Sequence, residues 1–171
     1  ANLARLGHAA FNTTSSGLVW GFPIVVYDYF LLTSTGLALV ASLALVFGAR
    51  DFYAVAKRCV WLALAGFVGG VAALFLELGH PLRALYATPL NFQYLSPLFW
   101  KVLFIGAYVI LLLITFSRIN RPGWDRGSAR GVGLLMGLAA LGVPLIAGSV
   151  YGMMAMRPFW YGAEVPVVFL V

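Results

Sequence analysis

Of the chain's 171 residues, 63% are hydrophobic and only 9% are charged. A soluble domain carries roughly 25% charge, so this composition leaves too little polar surface for a water-soluble globule and makes lipid the solvent. The formal charge of +6 is not a nucleic-acid signature, because the basic residues fall between apolar runs, where they set membrane topology.

Residues 1–17 are mostly polar and lack the basic start, apolar middle and small-residue cleavage site of a signal peptide, so the first helix is expected to insert uncleaved. Four apolar runs follow, at about Val19 to Phe47, Cys59 to Leu78, Leu98 to Phe116 and Val132 to Met156. Crossing a hydrocarbon core of about 30 Å takes about 20 residues at 1.5 Å each, and backbone groups deprived of water must pair within the segment. Each run is therefore predicted to be a transmembrane helix. The alternation that membrane strands require does not occur in the sequence. A fifth apolar run, Val165 to Val171, is too short to cross. It reads as the start of a further helix, and the chain is expected to be the N-terminal part of a longer protein. The connectors, Gly48 to Arg58, Gly79 to Pro97, Ser117 to Gly131 and Arg157 to Glu164, leave no room for a soluble domain. The expected fold class is an all-α integral membrane protein: a single membrane domain over 1–171, built as a four-transmembrane-helix bundle plus the start of a fifth helix.

Orientation follows from the cations. Arg50, Lys57 and Arg58 occupy the first connector, and Arg118, Arg121, Arg126 and Arg130 the third. These connectors are assigned to the cytoplasmic side, which puts the N-terminus, with Arg5, and the connectors holding Arg83 and Arg157 outside. Glycines at four-residue spacing, Gly66/Gly70, Gly133/Gly137 and Gly148/Gly152, let helices approach closely. Pro23 and Pro144 are positions where the helices are expected to kink or open locally. The lone cysteine, Cys59, closes no disulfide within the chain.

Depth singles out the remaining ionisable groups. If Trp20 marks the outer interface, Asp28 lies about 12 Å further along the helix axis, where a charge facing lipid costs roughly 2.5–3.5 kcal/mol. Glu77 and His80 end the second span, Lys101 begins the third, Arg157 ends the fourth, and Glu164 stands just beyond. By the topology above all of these share the outer half with Asp28, and Arg83 lies in a connector of the same side. Trp20, Tyr27, Tyr29, Trp100, Tyr151, Trp160 and Tyr161 ring them. An ordinary interfacial belt with snorkelling cations accounts for the aromatics, Lys101 and Arg157. It does not account for Asp28, an acid at a depth that requires a partner; Lys101 and Arg157 are the nearest by depth.

Carboxylates, an imidazole and aromatic rings at one edge of a dry bundle suit quinone chemistry. Quinol oxidation releases two protons with two electrons, so the site needs acceptors for the head-group hydroxyls and titratable groups leading outward. Metal centres fit less well. Glu77 and His80 have the Glu-x-x-His spacing of di-iron bundles, but those use two such pairs and two further carboxylates, and Pro81 follows directly. Axial haem ligation within the bundle has only His8, in the polar N-terminal stretch, and His80, at a helix end, to draw on. No haem or metal is expected on this chain.

WGFPIVVYDYFLLTSTG from Trp20 to Gly36, LELGHPLR from Leu76 to Arg83, SPLFW from Ser96 to Trp100 and MRPFWYG from Met156 to Gly162 together resemble the NrfD/PsrC family, the membrane subunits of polysulfide reductase and related respiratory complexes. Each motif is weak alone; their order and spacing match through the whole chain. The resemblance implies a haem-free helical subunit that exchanges electrons between membrane quinone and an adjacent iron–sulfur subunit, which serves a catalytic subunit, in the cytoplasmic membrane of a bacterium or archaeon. Family members have eight or more membrane helices, so the match covers about the N-terminal half. The family's quinone pocket uses polar residues early in the first helix, where this chain has Tyr27 and Asp28 in place of the His and Asn of the best-known member. The acid of the acid-x-Gly-Arg-Pro motif falls on Glu77, with His80 replacing the Arg, and the Arg-Pro-x-Trp motif falls on Arg157 to Trp160.

The expected site therefore places Tyr27, Asp28, His80 and Tyr151 at the quinone, with Asp28, Glu77, Arg83, Lys101, Arg157 and Glu164 as proton-transfer or ion-pairing groups. Two other classes remain open: a proton- or ion-translocating module, and a structural anchor without quinone chemistry. Stretches free of acids, histidines and basic residues, Gly36 to Phe47, Cys59 to Leu76 and Val132 to Met156, weigh against the first, and the deep Asp28 against the second.

Overall fold

The computed structural model describes residues 22–48, 52–77, 94–121, 123, 126–153 and 162–170, with residues 77 and 126 described as backbone alone. Among them are α1 (Phe22–Phe47), α2 (Tyr53–Glu77), α3 (Pro97–Ile119), α4 (Arg126–Gly152) and the short α5 (Val165–Val168). The first four helices are each long and apolar enough to cross a membrane, which makes the chain an all-α, multi-pass membrane protein.

The helices extend beyond the apolar runs at their charged ends. α2 begins at Tyr53 rather than Cys59, and α4 begins at Arg126 rather than Val132. Lys and Arg are good helix formers whose long stems carry the charge outward, so helical hydrogen bonding continues where hydrophobicity has ended. Pro23 occupies the first turn of α1, where its missing N–H has no partner to lose. Pro144 lies inside α4, and the helix runs through it without a break. α1 stops at Gly48, whose N–H donates to the Ala44 carbonyl at 3.1 Å and whose φ of 64° turns the following chain out of the helix in a left-handed cap.

α1 is the central helix, packed between α2 and α4; α3 lies against α4 and, less extensively, α2. Lipid removes the hydrophobic drive for helices to associate, so the contacts rest on close approach and hydrogen bonds. The inward face of α1 accordingly carries Ser34, Thr35, Ala38, Ala41 and Ser42. A Cβ on Gly70 of α2 would stand 3.2 Å from the Tyr27 carbonyl oxygen, and one on Gly137 of α4 would stand 2.7 Å from Ser42 Oγ. Only glycine permits the latter seam as it stands. Ser34 Oγ donates to the Ala63 carbonyl and accepts from the Tyr108 hydroxyl, each at 2.7 Å, a fully buried link that ties α1, α2 and α3 together. Tyr108, Leu31, Leu112 and Met136 fill the centre. Val40, Leu43, Leu62, Val68, Ile110 and Leu138 point outward, as residues bathed in lipid should.

Candidate functional site

At one end of the bundle the start of α1, the start of α3 and the end of α4 converge. α3 is launched by Ser96 in extended conformation followed by Pro97, whose fixed φ suits a first helical position. The Trp100 indole N–H donates to the Tyr94 carbonyl at 2.8 Å, which holds the entry to the helix. This places Lys101 one turn inside α3, facing α1.

Lys101 Nζ lies 3.3 Å from Asp28 Oδ1. The Tyr151 hydroxyl donates to the other carboxylate oxygen, Oδ2. Nζ also stands 5.2 Å from the centre of the Tyr27 ring and 5.6 Å from that of Tyr151, within the range in which a cation is drawn to an aromatic face. Tyr27, Asp28, Lys101 and Tyr151 are 5–8% exposed. Two opposite charges, two aromatic faces and a charge-directed hydroxyl thus satisfy one another where water is scarce, which is the condition for keeping an ion pair inside a bundle. The Tyr151 ring stacks on Phe169, just past α5, with centroids 5.2 Å apart and planes at 22°. Beside it, a cavity of about 310 Å³ opens between α4 and α5, lined by Ser149, Gly152, Met153, Gly162, Ala163 and Pro166.

Of the residues singled out in the sequence, the structure brings together Tyr27, Asp28, Lys101 and Tyr151, contributed by α1, α3 and α4. Lys101 is the cation on Asp28; Arg157, the other candidate, lies outside the described residues, as do His80 and Arg83. Glu77 is the last residue of α2, and its side chain lies outside the description. Glu164 is exposed and immediately precedes α5.

Sequence reasoning missed Phe169 as the partner of Tyr151, and Ser34 and Tyr108 as a buried pair. A signal for Tyr108, though not for Ser34, was present: Asp28, Thr35 and Ser42 on α1, and Lys101, Tyr108 and Thr115 on α3, recur at seven-residue steps. Seven residues are nearly two helical turns, so each set forms one stripe, and all six are buried.

The fold and cluster define a multi-pass helical membrane protein with a buried ion pair near one membrane face. Residues 11–171 match the family model for polysulphide reductase, NrfD, and the chain belongs to the NrfD family. Similar proteins include a selenate reductase subunit of Mesobacillus selenatarsenatis, 24% identical over 89% of this chain and 44% of that protein. Another is the Hdr-like menaquinol oxidoreductase integral membrane subunit of Archaeoglobus fulgidus, 21% identical over 94% of this chain and 40% of that one. The chain thus spans less than half the length of these curated relatives. No solved structure matches it.

Proposed function

We propose that this chain is the quinone-binding part of the membrane subunit of a respiratory electron-transfer complex in the cytoplasmic membrane of a bacterium or archaeon. Quinol docks at the Asp28 cluster and its electrons pass to an adjacent iron–sulfur subunit, which serves a catalytic subunit. The observation that carries this reading is the Asp28 carboxylate, buried between Lys101 and Tyr151 at one end of an otherwise apolar bundle. Membership of the NrfD family and similarity to a protein named as a menaquinol oxidoreductase membrane subunit support it.

The residues present fit a quinol head group. A carboxylate has about four lone-pair positions, of which Lys101 and Tyr151 engage two, so capacity remains to accept from a quinol hydroxyl. Tyr27, Tyr151 and Phe169 offer flat apolar surface for the ring. Oxidation of one quinol releases two electrons to the partner and two protons to the protein. Asp28 is the first acceptor for one proton, and Lys101 balances charge at the carboxylate as its protonation changes. His80 assists at the head group, while Glu77 and Glu164 carry protons outward and Arg83 and Arg157 pair with the acids.

Asp28→Asn in the intact complex tests the assignment. It keeps the acceptor for Tyr151 but abolishes the base, and general-base catalysis contributes about 10²–10⁴-fold. Quinol-dependent turnover should fall at least a hundredfold, while turnover of the catalytic subunit with a soluble electron donor stays unchanged. Undiminished quinol oxidation by the variant would remove Asp28 from the site.

A further inference from the structure

With quinol bound at Asp28, as proposed, the carboxylate must be held with its remaining lone pairs toward the head group. Nothing within the side chain does this, because the last torsion of an aspartate is broad and roughly two-fold. Its partners fix the plane. Lys101, on Oδ1, brings a compact ammonium with three donors on a flexible stem, which balances the charge at almost any tilt of the carboxylate. Tyr151, on Oδ2, is the directional partner. Conjugation keeps a phenolic O–H in the plane of its ring, so the plane of the Tyr151 ring sets the direction from which its proton meets Oδ2. That plane turns on a torsion as broad as the aspartate's. Phe169 lies nearly parallel to the ring, at 22° with centroids 5.2 Å apart, and restrains it.

Phe169 is carried by an element that cannot hold itself. α5 has four residues, too few for a helix to be stable alone, so its place comes from α4. The backbone of 162–166 lies directly on two glycines of that helix. A Cβ on Gly148 would stand 2.6 Å from Pro166 Cα, and one on Gly152 would stand 2.8 Å from the Gly162 carbonyl oxygen. The Gly162 N–H donates to the Gly152 carbonyl, and the Phe169 N–H to the Val165 carbonyl, each at 3.3 Å. Contacts therefore run from the glycine seam through Val165 and Phe169 to Tyr151 and Asp28. We infer that Phe169 is a positioning residue for quinol oxidation: its ring orients Tyr151, whose hydroxyl orients the Asp28 carboxylate. This differs from offering apolar surface to the quinol, because the face that Phe169 turns to Tyr151 is covered by that ring.

The test is steady-state oxidation of menaquinol by the intact complex in nanodiscs. Phe169→Leu should lower kcat about two- to tenfold, the fold-change equivalent of one aromatic stack, and leave KM within about twofold. Phe169→Trp keeps a stacking face and should hold kcat within about twofold of wild type. In a Tyr151→Phe background no hydroxyl remains to be aimed, so Phe169→Leu should lower kcat no further. Should Phe169→Leu fail to assemble, Phe169→Met removes the aromatic face with a side chain of similar reach and carries the same expectations. An unchanged kcat, an equal further loss in the Tyr151→Phe background, or a raised KM at unchanged kcat overturns the positioning role, and the last leaves Phe169 as contact surface alone. Asp28→Asn measured alongside separates this inference from the reading on which it rests. Wild-type oxidation by Asp28→Asn means that the quinol site itself is misassigned, whereas a loss of about a hundredfold there with none in Phe169→Leu refutes the role of Phe169 alone.

Discussion

Replacing Lys101 with Met is the sharpest test of the ion pair. The substitution keeps the length and apolar stem of the side chain but removes the ammonium, leaving Asp28 in a cluster where the two side chains are about one-tenth exposed. Removing one partner of a buried pair costs about 3–5 kcal/mol, because the remaining charge is stranded without compensation. Loss of the ammonium from above two tyrosine rings belongs to the same deficit. Adding Asp28→Asn removes the stranded charge and keeps an oxygen to accept from Tyr151, so the double variant should recover to within about 1–2 kcal/mol of wild type. Equilibrium unfolding in mixed micelles of dodecyl maltoside and sodium dodecyl sulfate, run on all four members of the cycle, measures the coupling. The Lys101→Met deficit should also change little with added salt, since buried pairs are weakly screened. A single-variant loss below about 1 kcal/mol, or a double variant that loses the sum of the two singles, would refute the reasoning.

Ser34→Ala should cost more than Tyr108→Phe. The first strands the Tyr108 hydroxyl in the core, whereas the second leaves Ser34 bonded to the Ala63 carbonyl; losses of about 1–3 and about 0.6 kcal/mol are expected in the same unfolding assay. Gly137→Ala should destabilise by about 1–3 kcal/mol, because its methyl would lie 2.7 Å from Ser42 Oγ. Adding Ser42→Ala should return part of the loss, read as the melting temperature in detergent. A Gly137→Ala protein as stable as wild type would mean that α1 and α4 are not in close contact there.

The membrane class was written in composition and in the length of the apolar runs, because hydrocarbon thickness sets how many residues a span needs and water's absence dictates a helix. The glycines at four-residue spacing were legible for a similar reason: few other residues let backbones approach in lipid. Helix ends were less so. Tyr53 through Arg58 and Arg126 through Gly131 fall outside the apolar runs yet are helical, since hydrophobicity measures immersion and not hydrogen bonding. Asp28 was conspicuous from its depth alone, but sequence left its partner open between Lys101 and Arg157. That choice depends on how α1, α3 and α4 rotate about their axes, and side-chain contacts separated by 73 and 123 positions decide it. The sequence by itself thus determined the solvent, the spans and the costly acid, because each follows from local transfer free energies. Tertiary structure alone decided what surrounds that acid: the ammonium of Lys101, the hydroxyl of Tyr151 and the ring of Phe169 behind it. Those contacts depend on helix rotation and register, which the chain settles only when its helices pack.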